Sequence, residues 1–572
     1  MSQNADDTRI HRSAHSAPTD ERTLPQILNE VAAAQPDTCF AGFPDEAPEK
    51  RTLSFAEVAT QSAALAAALA PVLGAGQHLL VMLPTGPDFV VALFAAWRLG
   101  AAVAPYPAPS LSKDEDFERF AALLQPLLCD AKPALILVRG AELAEGLSRR
   151  LATPCVDLDT LSASELTAFE GRTGNADDVA VLQYTSGPVS APKGVMLSHR
   201  NIIANIYGMG VQLELGPKDV GLSWLPLFQD MGLIGSLLLS LYWRFPSHFM
   251  KAESFLLRPH RYLALLSELK ASITGAPSFG YKLCVKRVRD SQLQGVELSA
   301  LRVALSGAET VDAEASRAFE TRFAAWGLRK NVIIPAFGMA ENALAASIAP
   351  PGRPLRTLQL DAKALAEGRI ELSDCPDGCV EVVSLGAPLA GQSLAVMGAD
   401  GELRAERELG ELVLQGPSFM KGYLADEQPE LRFRNGWGRS GDLAFFDQGE
   451  LFLVGRIKRM VIKRGRNYYC ADIEAVLRNE LGARLREVVA LALPNPEAAS
   501  EDLALLLDFG DAPEPSAARA DRDLSKQLDA LLLGHLAIRA EHIFVLEGQP
   551  LPRETAEQVE LARRCMGTEV AS

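Results

Sequence analysis

What most constrains the fold of this chain is the recurrence of short, unbroken apolar runs between stretches of helical periodicity. Such runs stand at residues 78–83, 134–138, 179–184, 303–305 and 332–335. A strand that is apolar on both faces must be covered on both, the condition of a buried, largely parallel sheet flanked by helices. The intervening stretches supply the helices. Leu24, Ile27, Leu28 and Val31 form the i, i+3, i+4, i+7 stripe of a core-facing helix. Ser54 and Glu57 make a capping box for a second helix, which Pro71 stops, and residues 88–99 give a third. Beyond about residue 400 the pattern changes. Residues 411–414 and 450–463 read as strands with polar turns, one of them at Asp447-Gln448-Gly449. A helix at 471–481, strands at 488–493 and 504–507, a helix at 518–540 and a strand at 543–546 complete a small α+β unit, with 511–518 as a surface loop. The expected organisation is a flexible tail over residues 1–22, a large α/β domain over 23–456 and a small α+β domain over 457–572. At about 150 residues per domain, 572 residues exceed a single core.

Charge and cysteine usage narrow the function classes. Lys and Arg number 56 against 72 Asp and Glu, a net charge of −16, and so acidic a surface repels nucleic-acid phosphates. The longest apolar runs, at 89–97 and 232–243, fall short of the ~20 residues a membrane span needs. Residues 1–22 are polar and hold no signal-peptide core. Eight scattered cysteines make no disulfide framework, and Cys375 and Cys379 have no second ligand pair nearby for a zinc site. A cytoplasmic protein is expected, with no membrane span and no nucleic-acid partner.

The most informative stretch is Tyr184-Thr185-Ser186-Gly187-Pro188-Val189-Ser190-Ala191-Pro192-Lys193-Gly194, which follows an apolar strand. Small hydroxyl residues, glycines and a lysine can present backbone N–H groups and a cation to phosphates. A plain surface turn has the same composition, so alone the stretch leaves both readings open. Further motifs follow in order: Trp224-Leu225-Pro226-Leu227-Phe228-Gln229-Asp230-Met231-Gly232-Leu233, Gly275-Ala276-Pro277-Ser278-Phe279, Ser306-Gly307-Ala308-Glu309, Phe337-Gly338-Met339-Ala340-Glu341, Ser440-Gly441-Asp442, Gly455-Arg456 and Gly465-Arg466-Asn467. In this order and spacing they resemble the adenylate-forming superfamily of acyl and aryl ligases. Within it the chain looks most like the fatty acyl-AMP ligases, to which the extra segment at 351–390 also points. The resemblance runs from about residue 23 to 564.

The resemblance implies a large adenylate-forming domain followed by a small, mobile C-terminal domain, with ATP and Mg²⁺ as cofactors. A fatty or related carboxylic acid becomes acyl-AMP and passes to the phosphopantetheine of an acyl carrier protein. Two unit charges 4 Å apart repel by about 4 kcal/mol at an effective dielectric of 20, so cations must offset the approach of a carboxylate to ATP. Thr185, Ser186, Gly187 and Lys193 match the phosphate loop, and Glu341 the Mg²⁺ ligand. Asp442 and Arg456 match the ribose contacts, and Lys458 the hinge. Ser306, Gly307, Ala308 and Glu309, with Ala336, Phe337, Gly338 and Met339, match the adenine site. Gln229 stands at a substrate-binding position, and Phe228, Met231, Pro277, Phe279 and Met339 are the expected acyl-pocket lining.

Three departures fall at reactive positions. Pro188, Val189 and Ser190 replace the family's Ser-Thr-Gly, removing a phosphate donor or stiffening the loop at each place. Gln229 replaces a His. Gln558 stands where the family has a catalytic Lys, and the last lysine of the chain is Lys526, with Arg553 and Arg563 as candidate substitutes. Three readings follow: a working ligase; a protein that lacks ATP cleavage and handles a preformed acyl-adenylate; or a non-enzymatic partner subunit.

Overall fold

A computed structural model describes residues 7–48, 51–111, 113–161, 174–184, 193–373, 379–424, 433–434, 436–456, 460–463, 466–495, 500–509, 516–519, 522–536, 538–547, 551 and 555–567. Two compact units result, a larger one holding most of the chain up to Gly455 and a smaller one mainly from Arg456 onward.

Two sheets organise the larger unit. The first has seven strands in the order Gly422–Tyr423, Gly194–Ser198, Val179–Tyr184, Ala102–Pro105, His78–Val81, Leu135–Val138 and Cys155–Asp157. Its strands from Val179–Tyr184 to Cys155–Asp157 pair parallel. The second has nine, with Ile333–Gly338, Val303–Ser306, Ile273–Ala276, Gly221–Ser223, Ser247–Phe249 and Cys39–Gly42 running parallel across its middle. The apolar runs are therefore buried strands, as their two-sided hydrophobicity demands. The helix His199–Gln212 packs on strands of both sheets, and one continuous core joins Val81 and Val103 of the first to Ala41 and Val303 of the second. Helix starts follow the local chemistry. Thr23 and Gln26 cap Leu24–Ala34, and Ser54 and Glu57 cap Phe55–Leu69, each as a reciprocal capping box. Leu24, Ile27, Leu28 and Val31 are all buried.

A third, antiparallel sheet holds Ser393–Met397, Gly410–Gln415 and the long strand Trp437–Asp447, which also pairs with Glu450–Arg456. Here the structure corrects the expected flexible tail. Ile10–Arg12 pairs antiparallel with Ser393–Met397, and His11 stacks on Phe446 with ring centroids 3.8 Å apart. The segment is polar because it lies at a sheet edge, where one side of the strand stays solvated. The extra segment around 351–390 contains a hairpin, Thr357–Asp361 with Cys379–Val383, whose Leu360 and Val382 pack on Phe445 and Phe452.

The smaller unit has a hairpin, Met460–Lys463 with Arg466–Tyr469, and a four-stranded sheet in the order Glu487–Asn495, Ser500–Asp508, His542–Glu547, Ser516–Arg519. Ser516–Arg519 falls in the segment expected to be loop; its Ala and Ser residues carry too little apolar signal, and pairing with His542–Glu547 decides its conformation. The adjoining helix is correspondingly shorter than expected, Arg522–Leu536. The helices Cys470–Leu481 and Arg522–Leu536 share a core on one face of this sheet, and Thr555–Gly567 packs on the other. No helix among the described residues is long and apolar enough to cross a membrane.

Candidate active site

The strand Ile333–Gly338 ends in a tight 3₁₀ turn, Ala340–Asn342, that carries Glu341. Buried amides hold this turn. Asn205 Nδ2 donates to the carbonyls of Asn342 at 2.9 Å and Ala345 at 2.7 Å, and its Oδ1 accepts from Ala345 N at 3.1 Å. Asn342 Nδ2 adds a bond to the Ala345 carbonyl at 2.8 Å. Gly338 is required because a Cβ there would lie 2.1 Å from the Leu344 carbonyl oxygen. Glu341 then meets an element far away in sequence. The hydroxyl of Tyr423 donates to Glu341 Oε1, and Met420 N donates to the Glu341 carbonyl at 2.7 Å. Tyr423 is fixed because its strand pairs with Gly194–Ser198, Tyr423 opposite Val195. Asn201 Nδ2 anchors the approach to that strand, donating to the carbonyls of Pro417 and Phe419 at 2.7 and 2.9 Å.

The exposed Lys193 places its ammonium 5.6 Å from the Tyr423 ring centroid. One tyrosine thus stands between the lysine and the acid singled out from the sequence. Residues 185–192, with Thr185, Ser186 and Gly187, lie outside the described residues, as do Lys458 and Arg553. The flanks of that loop are joined by Asp130, whose Oδ2 accepts from Tyr184 Oη at 2.6 Å and from Gly194 N at 3.3 Å.

A second carboxylate feels the charge of Glu341. Asp230 opens the helical turn Asp230–Gly232, and its carboxyl is pushed up to about 6 by burial first, with the charge of Glu341 adding. The residue keeps some accessible surface, yet its carboxyl feels a dense surround. Asp230 and Glu341 are both oxygen donors, the ligand type of a hard cation such as Mg²⁺.

Beside these acids lies a small apolar pocket, lined in part by Leu222, Met231, Gly235, Phe245, Gly275 and Leu344. Met231 follows Asp230, and Leu344 lies three residues after Glu341, so the same two turns supply acids and pocket wall. The stretch Leu233–Leu238 is a π-helix, and its Gly235 and Ser236 face the pocket. Such widened turns are frequent at functional sites. Of the expected lining residues, Met231 is in this wall. Phe228 packs on the main core, Phe279 is edge-on to Trp224 at 5.7 Å, Met339 packs on the cluster of the antiparallel sheet, and Pro277 caps the helix Ser278–Arg287. Gln229 caps the Asp230 turn without a side-chain bond, its N–H donating to the Pro226 carbonyl at 3.1 Å.

The expected adenine residues sit at the ends of adjacent parallel strands, Ser306 opposite Pro335, the edge where α/β folds place ligands. Ala308 is left-handed at φ 66°, and Gly307 brings its backbone against the Ala336 carbonyl. Glu309 Oε1 accepts from Phe279 N at 2.8 Å, which ties this loop to the helix Ser278–Arg287. Ala336, Phe337 and Gly338 lie on the strand next to it, with Met339 just beyond. Asp442 is buried within Trp437–Asp447, where the register with Gly410–Gln415 breaks at a bulge and Gly441 takes φ 78°. Bulges of this kind re-aim side chains. Arg456 ends the strand Glu450–Arg456, its side chain outside the described residues. Gln558 is buried on the helix Thr555–Gly567. Sequence reasoning did not single out Tyr423, Asp130 or Asn205, and treated Asp230 only as part of a motif; no local pattern marks a tyrosine that meets an acid 82 positions away.

The profile of the family described as AMP-binding enzyme matches residues 28–424. The chain belongs to the AMP-binding enzyme family. The 4-hydroxyphenylalkanoate adenylyltransferase of Mycobacterium tuberculosis is 31% identical to this family member over 516 residues, 83% of this chain and 80% of the relative. JamA of Moorena producens, a medium-chain-fatty-acid–[acyl-carrier-protein] ligase, is 31% identical over 464 residues, 76% and 78% of the two chains. A crystal structure of a fatty acyl-adenylate ligase from L. pneumophila, in complex with acyl adenylate and pyrophosphate, superposes with a TM-score of 0.75 at 25% identity, covering 95% of this chain and 96% of that one. Within the family, this AMP-binding enzyme stands with the fatty acyl-AMP ligases.

Proposed function

We propose that the protein joins a fatty or related carboxylic acid to ATP, forming acyl-AMP and pyrophosphate, and then passes the acyl group to the phosphopantetheine thiol of an acyl carrier protein. The observation that carries this reading is the meeting of Lys193, Tyr423 and Glu341, with Asp230 close by, beside an apolar pocket. The acid's tail enters the pocket and its carboxylate turns toward the acids and Lys193. A carboxylate oxygen attacks the α-phosphorus, the bond to the β-phosphate oxygen breaks, and pyrophosphate leaves. Lys193, with Thr185, Ser186 and Gly187, holds phosphate oxygens and offsets the repulsion between two anions. Glu341 and Asp230 would hold Mg²⁺, which when bound supplies further positive charge to the phosphates. Ser306–Glu309 and Ala336–Met339 receive adenine, and Asp442 and Arg456 the ribose. A thiolate of the carrier then attacks the acyl carbonyl and AMP leaves.

A second reading rests on Gln558, whose neutral amide hydrogen-bonds but carries no charge. Losing one transition-state donor or cation typically costs about 3–4 kcal/mol. In that case the chain handles a preformed acyl-adenylate and performs only the transfer, or serves as a partner subunit. Mass-spectrometric detection of acyl-AMP, from ATP, Mg²⁺ and a panel of short to long acids, separates the two readings. Acyl-AMP from the unmodified protein supports the ligase. Product from Gln558→Lys alone would support transfer only, and none from either would end the ligase reading and favour the partner subunit.

A further inference from the structure

On a chain with a net charge of −16, a basic surface patch is set against its own background. One such patch lies on the helices covering the face of the nine-stranded sheet that carries Leu222, Trp224 and Ala276. Leu257 is 77% exposed, the most exposed large apolar side chain among the described residues, with Leu256 beside it. Both end the helix Ala252–Leu257, and Arg258 follows. Arg287 Nη1 donates to the Leu256 carbonyl at 3.4 Å, bringing the basic end of the helix Ser278–Arg287 to the same place. Arg258, Lys286, Arg287 and Arg289 are exposed, and none forms an ion pair among the described residues. The neighbouring acids are already engaged: Glu46 with Lys251 at 2.7 Å, Asp45 with Arg261 at 3.3 Å, Asp312 with Lys282 at 3.8 Å, and Asp290 with Arg322. Glu253 is the one acid on the leucine-bearing helix itself. Beneath the leucines Phe255 stacks on Trp224 at 4.2 Å, and Leu225, the next residue, lines the apolar pocket.

We propose that this patch docks the acidic carrier protein that receives the acyl group; it rests on the transfer step proposed above and adds where the partner binds. Apolar side chains ringed by arginine and lysine are the anatomy of a protein interface, with an apolar centre and a charged rim. Charge decides the class of partner. A small acidic domain meets only charges within about one Debye length, ~8 Å at physiological ionic strength. A flat anionic membrane would also face the acidic remainder of the chain.

The test uses the full-length protein, an R258E/K286E/R287E variant and Leu257→Asp. Binding of a panel of acidic holo-acyl carrier proteins is followed by fluorescence anisotropy, and acyl-AMP formation is measured on the same preparations. The triple variant is expected to bind carrier at least about tenfold more weakly, through slower association, and to lose most of the salt dependence. Leu257→Asp is expected to weaken binding about fivefold or more through the apolar centre, and both variants retain acyl-AMP formation. Equal binding by variants and unmodified protein overturns the proposal, as does the absence of micromolar binding to every carrier. Charge-dependent binding to phosphatidylserine-containing vesicles with carrier binding unaffected overturns it in favour of a membrane. Loss of carrier binding in the variants of a protein that makes no acyl-AMP upholds the docking surface and refutes the ligase reading alone.

Discussion

Replacing Tyr423 tests whether the meeting of Lys193 and Glu341 has chemical consequence. The Tyr423 hydroxyl donates to Glu341 Oε1, its ring lies 5.6 Å from the Lys193 ammonium, and the residue is buried. Tyr423→Phe removes the donor and keeps the ring, and the strand pairing with Val195 is a backbone matter that the change leaves intact. A hydrogen bond to a charged acceptor contributes about 1.5–3 kcal/mol. If that bond holds the carboxylate in place for a cation, its loss raises the half-saturating Mg²⁺ concentration by about 10- to 100-fold. The assay is the initial rate of acyl-AMP formation against Mg²⁺ at saturating ATP and acid, with thermal unfolding as the control for folding. Tyr423→Leu also removes the cation–π contact, about 0.5–1 kcal/mol at an exposed lysine, and is expected to fall further. An unchanged Mg²⁺ dependence in Tyr423→Phe, at unchanged stability, would refute the reasoning.

Three further outcomes are expected. The Asp230 carboxyl, pushed up to about 6 from 3.8, binds its proton more tightly in the folded than in the unfolded state. Its contribution to stability is therefore present at low pH and lost as pH rises from about 4 to about 6; after discounting for partial exposure, this is about 1–2 kcal/mol. Urea titrations of Asp230→Asn against the unmodified protein should differ across that window, and parallel curves would contradict the burial argument. Gly235 faces the pocket, and a Cβ there would meet Leu344 Cδ2 at 2.7 Å. Gly235→Val is expected to shift selection toward shorter acids in a competition among short and long chains, and an unchanged product distribution would show that the tail lies elsewhere. Asn205→Leu removes three buried hydrogen bonds from the Glu341 turn; the Ala345 and Asn342 carbonyls keep bonds from Asn342 Nδ2 and Leu344 N, while the Ala345 N–H loses its side-chain acceptor, which should cost about 1–3 kcal/mol by chemical denaturation.

Much of the scaffold was legible because its signals are local. The strands Val179–Tyr184 and Val303–Ser306 are apolar on both faces, and the box at Ser54 satisfies a helix N-terminus within four residues. The motifs around Lys193 and Glu341 were equally visible as strings. What those strings could not carry was partnership. Asp230 read as part of an apolar motif, yet its neighbour Glu341 and its burial decide its chemistry. The strand at Ile10–Arg12 was illegible because one isoleucine followed by two polar residues at an edge looks the same whether paired or free.

The order of apolar strands and helices, their caps and the acidic character of the whole followed from the sequence by itself, since each depends on residues adjacent or one helical turn apart. Only the tertiary structure decided that Tyr423 links Lys193 to Glu341, that the turns of Asp230 and Glu341 also wall the apolar pocket, and that Leu257 stands among cations that form no ion pair among the described residues. Those are contacts across tens of residues, selected by sheet pairing and core packing, and a one-dimensional pattern holds no record of which distant side chains a fold brings together.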